Sequence, residues 1–422
     1  MNTLWVRSVW AVDPAYVVIL AGVNASLHVG KLSPALPVLQ VELGVSLLQA
    51  GFLLSLVQLA GMIFGLAVGL AADGLGLKRS MLIGLLVLFL TSSLGGWAQD
   101  VNTLLLLRAI EGFGFLLVSM PAPSLIRHLV PPQRMSVMLG LWGAYMPLGM
   151  ALALLCGPTV ITLGSWQVWW WALAGLTLLM AVWLWQVVPN DRENGSIFVA
   201  QALAQDTGLV VEAESWQLRL RQTLSARGPW LVAFSFAVYS AQWIAVIGFL
   251  PMIYAQAGLT GGITALLTAL VAAVNMGGNI FSGRLLTQGV SPQRILYAGF
   301  GTMALGATLA FARWPTLSDG AAWLPAVRFA AVMLFSTVGG MIPGTLYSLA
   351  VQLAPSVRTV STTVGLMQQW AALGQFAGPP AVAWVAGATG GWQWIWLVTG
   401  ACALGGGTLA LQICRLKMRG SG

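Results

Sequence analysis

Charge is what this chain of 422 residues lacks most, since Asp, Glu, Lys and Arg make up only 7% of it. A soluble domain is about one quarter charged. Hydrophobic residues account for 58% of the chain, and its mean hydropathy is +0.85. Such a chain cannot cover itself with a polar surface, so lipid must be its solvent. The composition therefore excludes a soluble globular protein.

Cysteine and histidine are also scarce, with three and two copies. Cys156, Cys402 and Cys414 all lie in apolar runs, so they predict neither a disulfide framework nor a metal site. No Gly-Lys-Ser/Thr phosphate loop, metal-spaced cluster or nucleophile arrangement is evident. We therefore expect no catalytic residue, no cofactor and no enzymatic activity, and energy must come from a gradient rather than from ATP. No cleavable signal peptide is evident either.

Long apolar runs take the place of the missing charge. Each is long enough for a helix of about 20 residues that crosses a bilayer. They predict an all-α membrane protein with twelve transmembrane helices in two six-helix bundles, residues 1–189 and 229–422, joined by a cytoplasmic linker at 190–228. The runs lie near residues 15–38, 47–72, 81–98, 102–127, 135–161, 166–188, 229–256, 261–286, 294–313, 322–350, 358–387 and 390–414.

The linker contains a short stretch, Ser215–Arg227, in which apolar residues alternate with three arginines. The apolar members are Trp216, Leu218, Leu220 and Leu224. This mixture is typical of a helix that lies flat on the membrane surface.

Basic residues are distributed unequally between the two sides of the membrane. If the amino terminus is cytoplasmic, fifteen of the nineteen Lys and Arg residues lie on the inner side, and Arg313 alone lies on the outer side. Lys31, Arg108 and Arg328 fall inside spans. The asymmetry predicts that both termini are cytoplasmic and that the chain resides in the cell inner membrane. The cations are scattered in short loops, so the net charge of +8 does not indicate a nucleic-acid partner.

Four tryptophans cluster at the start of the sixth run, where an interfacial aromatic belt is expected. They are Trp166, Trp169, Trp170 and Trp171.

The two halves of the chain share a weak repeat. Pro37 precedes Gly69 by 32 residues, and Pro251 precedes Gly283 by the same interval. Gly140 and Gly149 follow Arg134 by 6 and 15 residues. Gly365 and Gly374 follow Arg358, the corresponding arginine of the second half, by 7 and 16 residues. Repeats of this kind build many membrane transporters. In this alignment Gln242 corresponds to His28.

Residues 69–79 read Gly69-x3-Asp73-x2-Gly76-x-Lys78-Arg79, between two apolar runs. This segment resembles the loop between helices two and three of the major facilitator superfamily, a family of secondary transporters. The resemblance implies two pseudo-symmetric six-helix bundles that alternate access to a central site, lined by spans one, four, seven and ten. The corresponding loop of the second half has Thr287 in place of Asp73.

Further segments extend the resemblance over nearly the whole chain. Residues 108–114 resemble the family's Arg-x3-Gly-x-Gly helix, which is associated with proton coupling in some members. Residues 374–380 also follow a facilitator pattern, and residues 24–37 weakly resemble the cyanate and nitroimidazole permease group. The Gly-x3-Gly-Pro-x2-Gly-Gly element that is usual in span five of drug/proton antiporters is absent here.

The loop cations and their neighbouring carboxylate are the first candidates for function. Asp73 can pair with Lys78 or Arg79, or cap the next helix, and a pair between the two halves would act as a gate. The alternative is that these cations only set the topology.

Arg108 and Glu111 stand three residues apart and therefore share a helix face. Glu111 is the only acidic residue inside any predicted span, and such residues are usually functional. We predict that Glu111 carries the coupled proton. The alternative is a static intrahelical ion pair.

Asn24, His28 and Lys31 lie on one face of the first span. His28 and Arg108 both lie about 9 Å below the outer surface, counted from the span ends. Lys31 is nearer that end and is expected to snorkel. Arg328 has no acidic residue in its span. Either an anionic ligand satisfies its guanidinium, or backbone carbonyls, water or Asp319 do so. Glu111 cannot fully serve two arginines, so the cavity is predicted to be net cationic and to favour an anion.

Polar and aromatic residues in other spans complete the predicted site for a solute. Those predicted to bind substrate, together with Asn24, His28, Arg108 and Arg328, are Tyr145, Tyr239, Gln242, Trp243, Asn275 and Gln368. The sequence thus predicts a monomeric, proton-coupled transporter of a small anionic organic solute, with lipid and protons as its other partners. The alternative is a proton-driven multidrug efflux antiporter. A third class, a non-transporting membrane sensor or assembly factor, has no need of ionisable residues in its spans.

Overall fold

The computed structural model describes residues 12–191, 216–259, 261–313, 323–356 and 359–420. This part of the chain folds into eighteen α-helices and contains no strand. The helices are α1 (Pro14–Gly30), α2 (Leu32–Glu42), α3 (Leu47–Ser55), α4 (Leu59–Leu75), α5 (Leu77–Gly95), α6 (Val101–Ser119), α7 (Ala122–Leu129), α8 (Pro132–Gly143), α9 (Tyr145–Leu163), α10 (Trp166–Val187), α11 (Trp216–Ser225), α12 (Arg227–Gln256), α13 (Gly262–Thr287), α14 (Pro292–Phe311), α15 (Leu324–Gly339), α16 (Met341–Leu353), α17 (Val360–Thr389) and α18 (Ile395–Gly420).

Within the described residues, eleven segments are long and apolar enough to cross a membrane. They correspond to eleven of the twelve predicted runs. The remaining run, 358–387, forms α17, which has 30 residues and is also long enough to cross. Three glutamines and two prolines lower its mean hydropathy, which is why composition alone does not single it out.

The first span is broken at Lys31, between α1 and α2. Pro34 and Pro37 follow the break, and proline has no backbone N–H with which to continue the helical ladder. The backbone carbonyls just before the break are therefore available to side chains of neighbouring helices. This break positions the polar site described below.

Small residues bring the helices of each bundle together in equivalent ways. In the amino-terminal bundle, Gly149 of α9 faces Ser26 of α1; in the carboxy-terminal bundle, Gly378 of α17 faces the backbone of Ala241 in α12. Helices α9 and α1 are spans five and one, and helices α17 and α12 are spans eleven and seven, their counterparts in the repeat. Close approach through small residues is the usual way for membrane helices to pack. The predicted fold of two pseudo-symmetric bundles is confirmed.

The two bundles meet along two seams. In one, α3 and α4 pack against α17; in the other, α9 packs against α13. The first seam contains a ring contact between Phe52 and Phe376, with centroids 6.5 Å apart. Gln369 Nε2 also donates a hydrogen bond across it to the Met62 carbonyl, at 2.8 Å. Spans two and eleven form the first seam, and spans eight and five form the second. The repeat relates span two to span eight and span eleven to span five, so the two seams are equivalent.

The expected aromatic belt at the start of α10 is wrong for three of its four members. Trp166, Trp169 and Trp170 are buried inside the protein, whereas Trp171 is exposed. The Trp166 indole donates to Glu42 Oε2 at 2.7 Å, and the Trp169 indole donates to the Lys31 carbonyl at 3.2 Å. These rings are held inward because the first span supplies polar acceptors that lipid lacks.

Most of the predicted linker lies outside the described residues, and the domain boundaries stay a prediction. The expected surface helix forms as α11, with Trp216, Leu218 and Leu224 exposed. Its end is fixed by the Trp230 indole of α12, which donates to the Leu224 carbonyl at 2.9 Å.

Candidate functional site

Four ionisable side chains meet inside the amino-terminal bundle, and all four are buried. Arg108 NH1 donates to Glu111 Oε2 at 2.8 Å, as the i, i+3 spacing predicted. Lys31 Nζ donates to the other carboxylate oxygen, Oε1. His28 Nδ1 lies 3.7 Å from the same Oε1. One carboxylate thus faces two permanent cations and an imidazole.

The expectation that Lys31 snorkels to the outer surface is wrong. Besides its pair with Glu111, Lys31 Nζ donates to Ser92 Oγ at 3.2 Å and lies 4.8 Å from the centre of the Trp170 ring. The break between α1 and α2 turns the side chain inward, where a carboxylate and an aromatic face stabilise its charge. Glu111 therefore serves Arg108 and Lys31.

Arg108 holds the break in the first span together. Its Nε donates to the Leu53 carbonyl at 2.9 Å and its NH2 to the Val29 carbonyl at 3.0 Å, while NH1 donates to the His28 carbonyl. With the bond to Glu111, four of its five N–H groups are used by the protein. In this conformation Arg108 has at most one donor left for a ligand.

A small cavity adjoins the cluster. Its walls include Lys31, Arg108 and Glu111, together with Thr91, Leu104 and Trp170. Its volume of about 10 Å³ is close to the smallest that can hold one water molecule.

Asn24 and His28 both bind Thr177 of α10, which confirms that they share a face of α1. Asn24 Nδ2 donates to Thr177 Oγ1 at 3.0 Å, and His28 Nε2 lies 2.7 Å from the same atom. The Thr177 hydroxyl itself donates to the Leu173 carbonyl at 2.8 Å. These contacts direct Asn24 and His28 into the amino-terminal bundle.

A second polar cluster lies in the carboxy-terminal bundle. Asn275 Nδ2 donates to Tyr239 Oη at 3.1 Å and to the Ser336 carbonyl at 2.9 Å. The Trp243 indole donates to Ser336 Oγ at 3.2 Å. Gln242 is buried, and its Oε1 has no hydrogen-bond partner among the described residues. Three predicted residues thus converge, and a fourth beside them offers a free acceptor.

Gln368 and Tyr145 both interact with Tyr347. Gln368 Nε2 donates to Tyr347 Oη at 2.6 Å. Tyr145 stacks on Trp142, with ring centroids 4.2 Å apart and an interplanar angle of 16°. Tyr145 belongs to α9 of the amino-terminal bundle, yet its phenol interacts electrostatically with Tyr347 of α16 in the carboxy-terminal bundle.

Arg328 is half-buried on α15, on the same face as Val332 and Ser336. Its Nε makes no hydrogen bond to any described residue. The alternative partner Asp319 lies outside the described residues. The structure does not bring Arg328 to Arg108 or Glu111 by any described bond.

The predicted gating residues lie at the turn between α4 and α5. Lys78 Nζ donates to the Trp185 carbonyl at 2.8 Å, and the backbone amides of Lys78 and Arg79 donate to the Asp191 carboxylate at 2.8 and 3.2 Å. Gly76, with φ of +86°, makes the turn that brings α5 to Asp191. The side chain of Asp73 lies outside the described residues. The gating role of Asp73, Lys78 and Arg79 stays a prediction.

Sequence reasoning missed three contributors to these sites. Thr177 and Ser336 are small hydroxyl residues in apolar runs, a signal too common to single out. Asp191 was assigned to the linker, although it caps α5.

The fold and the buried ionisable cluster define a class: a multi-pass α-helical membrane protein with the architecture of a secondary transporter. A family model described as Major Facilitator Superfamily matches residues 15–379. The chain belongs to that family, whose members are transporters and not enzymes.

Two curated relatives and one solved structure describe the similarity further. The hexuronate transporter of Bacillus subtilis (strain 168) is 27% identical over 224 residues, which cover 52% of this chain and 51% of the relative. The galactose-proton symporter of Escherichia coli (strain K12) is 27% identical over 209 residues, which cover 48% of this chain and 42% of the relative. The chain thus spans about half the length of these relatives.

The solved structure is the xylose transporter XylE from E. coli in a partially occluded, inward-open conformation. It aligns with a TM-score of 0.73 at 14% identity, over 96% of this chain and 97% of the other. This likeness confirms the fold. The resemblance of residues 24–37 to the cyanate and nitroimidazole permease group stays a prediction.

Proposed function

We propose that the chain is a proton-coupled secondary transporter that moves a small anionic organic solute across the cell inner membrane by alternating access. Family membership supports the alternating access. A relative named as a hexuronate transporter and another named as a galactose-proton symporter support a solute of sugar size and a coupled proton. A hexuronate is a sugar that carries a carboxylate, so it has both the proposed sugar size and the proposed negative charge.

The observation that carries the anionic solute is the half-buried Arg328. Its Nε has no partner among the described residues, and the described part of its span contains no acidic residue. An unpaired guanidinium in a membrane costs about 3 kcal/mol or more. A carboxylate with two parallel acceptor oxygens matches the guanidinium and removes that cost.

Neighbouring side chains suit the neutral part of such a solute. Ser336 lies on the same face of α15 as Arg328, about 12 Å along the helix. It belongs to the polar cluster of Tyr239, Trp243 and Asn275. The free Oε1 of Gln242 can accept a hydrogen bond from a sugar hydroxyl. We place the solute between Arg328 and this cluster, with Tyr145 of α9 and Gln368 of α17 as further contacts.

Asn24, His28 and Arg108 stay predictions as substrate ligands. Asn24 Nδ2, His28 Nε2 and the Arg108 guanidinium bind protein in this conformation. We also propose, on the charge asymmetry, that both termini are cytoplasmic. That the protein acts as a monomer stays a prediction.

Ligand-induced thermal stabilisation of the purified protein tests the solute class. The panel is glucuronate, galacturonate, galactose, xylose and cationic dyes, applied to the parent chain, to Arg328→Gln and to Arg313→Gln. Arg313 is exposed and provides the matched loss of one cation. We expect the two hexuronates to raise the denaturation midpoint of the parent and of Arg313→Gln, but not of Arg328→Gln.

Other outcomes assign another function. Equal stabilisation by neutral sugars would contradict an anionic solute, and stabilisation by dyes alone would favour proton-driven multidrug efflux. Uptake of radiolabelled glucuronate into proteoliposomes with an imposed pH gradient then tests the coupling. Equal uptake with and without the gradient would contradict it.

A further inference from the structure

We propose that the coupled proton binds to Nδ1 of His28, and that protonated His28 and the Lys31 ammonium compete for Oε1 of Glu111. This inference rests on the proton coupling proposed above and moves the proton from Glu111 to His28. Glu111 remains a carboxylate throughout and acts as the shared acceptor.

We infer from the hydrogen bonds of Thr177 which nitrogen of neutral His28 carries the proton. The Thr177 hydroxyl has one hydrogen, and it donates that hydrogen to the Leu173 carbonyl at 2.8 Å. Thr177 Oγ1 must therefore accept from both Asn24 Nδ2 and His28 Nε2. Since a neutral imidazole carries one N–H, Nδ1 of neutral His28 is left with a lone pair that accepts no hydrogen bond.

The Glu111 carboxylate favours the arrival of a proton at Nδ1, whereas burial opposes it. Nδ1 is buried and has no hydrogen-bond partner among the described residues, although Glu111 Oε1 lies 3.7 Å away. A lone pair that faces a carboxylate is repelled by it. A proton on Nδ1 converts this contact into a charge-assisted hydrogen bond.

Lys31 opposes that proton in the present conformation. Its ammonium occupies the same Oε1, while Arg108 occupies Oε2. The charged groups that interact with His28 are Lys31 on its own helix and Arg108 and Glu111 on α6. Thr177 on α10, which contacts His28, is uncharged, and Met146 and Gly149 of α9, which contact Ser26 two residues earlier on α1, are uncharged as well. A third positive charge is therefore admitted when Lys31 leaves Oε1.

The exchange at Oε1 acts on the shape of the first span. Lys31 lies at the break between α1 and α2, and its carbonyl accepts from the Trp169 indole. Displacement of the Lys31 ammonium changes the angle at this break. Because α2 packs against α12 of the other bundle, proton binding is transmitted to the contact between the bundles. In this step one proton passes from water to Nδ1, and no other covalent bond forms or breaks.

The scarcity of histidine allows a direct test. The chain has two histidines, so a His128→Gln variant labelled with ¹⁵N-histidine reports His28 alone. In nanodiscs at alkaline pH, we expect the NMR spectrum to show the single proton on Nε2, and Nδ1 to become protonated as the pH falls. A proton on Nδ1 in the neutral form would overturn the proposal.

Two further variants test the competition for Oε1. With Lys31→Gln we expect His28 to become protonated at a higher pH than in the His128→Gln parent, because its competitor is gone. With Glu111→Gln we expect protonation at a lower pH, because the carboxylate that stabilises the cation is gone. Identical titrations in all three proteins would contradict the shared acceptor. Thr177→Val, which removes the acceptor of Nε2–H, should change the tautomer, whereas Thr177→Ser should not.

Transport separates this proposal from the function on which it rests. We expect His28→Gln to lose accumulation of radiolabelled glucuronate driven by a pH gradient. If the parent shows no gradient-driven accumulation, the proposed function fails while the NMR titration still locates the proton. If His28→Gln accumulates glucuronate as the parent does, the proton site is wrong and the function stands.

Discussion

At the scale of single residues, the molecule depends on Glu111, which compensates both Lys31 and Arg108. Removing one partner of a buried ion pair destabilises a protein far more than removing a surface pair, because the remaining charge is left without compensation. The sequence predicted the pair with Arg108, since three residues separate the two. It could not predict the pair with Lys31, because 80 residues separate them and a helix break turns Lys31 inward.

We expect Arg108→Lys to lower the free energy of unfolding by about 2 kcal/mol. A lysine has its three donors on one atom, so it cannot reach the carbonyls of Leu53, His28 and Val29 together with Glu111. The thermal denaturation midpoint in detergent measures the effect. Arg284→Lys, at an exposed position on α13, is the matched control. Equal midpoints for the two variants would show that Arg108 does not hold the break.

At the scale of helices, hydropathy predicted where the spans lie but not where they are interrupted. The first span is broken at Lys31 because two prolines follow, and the sequence analysis treated it as one continuous span. The tryptophans of α10 were assigned to the lipid interface, although three of them find acceptors or cations within the protein. Such choices depend on partners from distant parts of the chain, which local pattern does not contain.

We expect Gly149→Val to lower the free energy of unfolding by about 1 to 3 kcal/mol, because it forces α9 away from α1. A Cβ at Gly149 would lie 2.5 Å from Ser26 Cβ and 2.7 Å from the Val23 carbonyl oxygen. Gly140→Val is the control, since a Cβ there meets nothing within 4 Å. The two denaturation midpoints are compared. A midpoint for Gly149→Val as high as that of the control would mean that the two helices can separate freely.

At the scale of the whole molecule, the bundles touch along two seams related by the repeat. Alternating access requires that these seams open and close while each bundle keeps its own packing. The seam between α4 and α17 is formed by direct backbone and side-chain contacts, including the bond from Gln369 to the Met62 carbonyl. A covalent link across this seam should therefore block transport.

We expect a disulfide between Gly65→Cys and Gln369→Cys to abolish transport and a reductant to restore it. A Cβ at Gly65 would lie 3.4 Å from Gln369 Cβ, close to the separation of about 3.8 Å in disulfides. Cys156, Cys402 and Cys414, which are free, are first replaced by serine.

Two controls accompany this cross-link. The single-cysteine variants report the effect of losing Gly65 or Gln369. The reduced double-cysteine variant reports the effect of both substitutions without the cross-link. Transport by the oxidised Gly65–Gln369 pair would contradict movement of the bundles as rigid units.

The distance along the chain between Lys31 and Glu111 has a consequence for synthesis. A ribosome adds about 5 to 20 residues per second, so the 80 residues between them take roughly 4 to 16 seconds to make. During that time the nascent first helix carries an uncompensated ammonium, at about 3 kcal/mol if it enters the bilayer. The first helix must therefore wait in a sheltered, hydrated place beside the insertion machinery until the fourth span emerges.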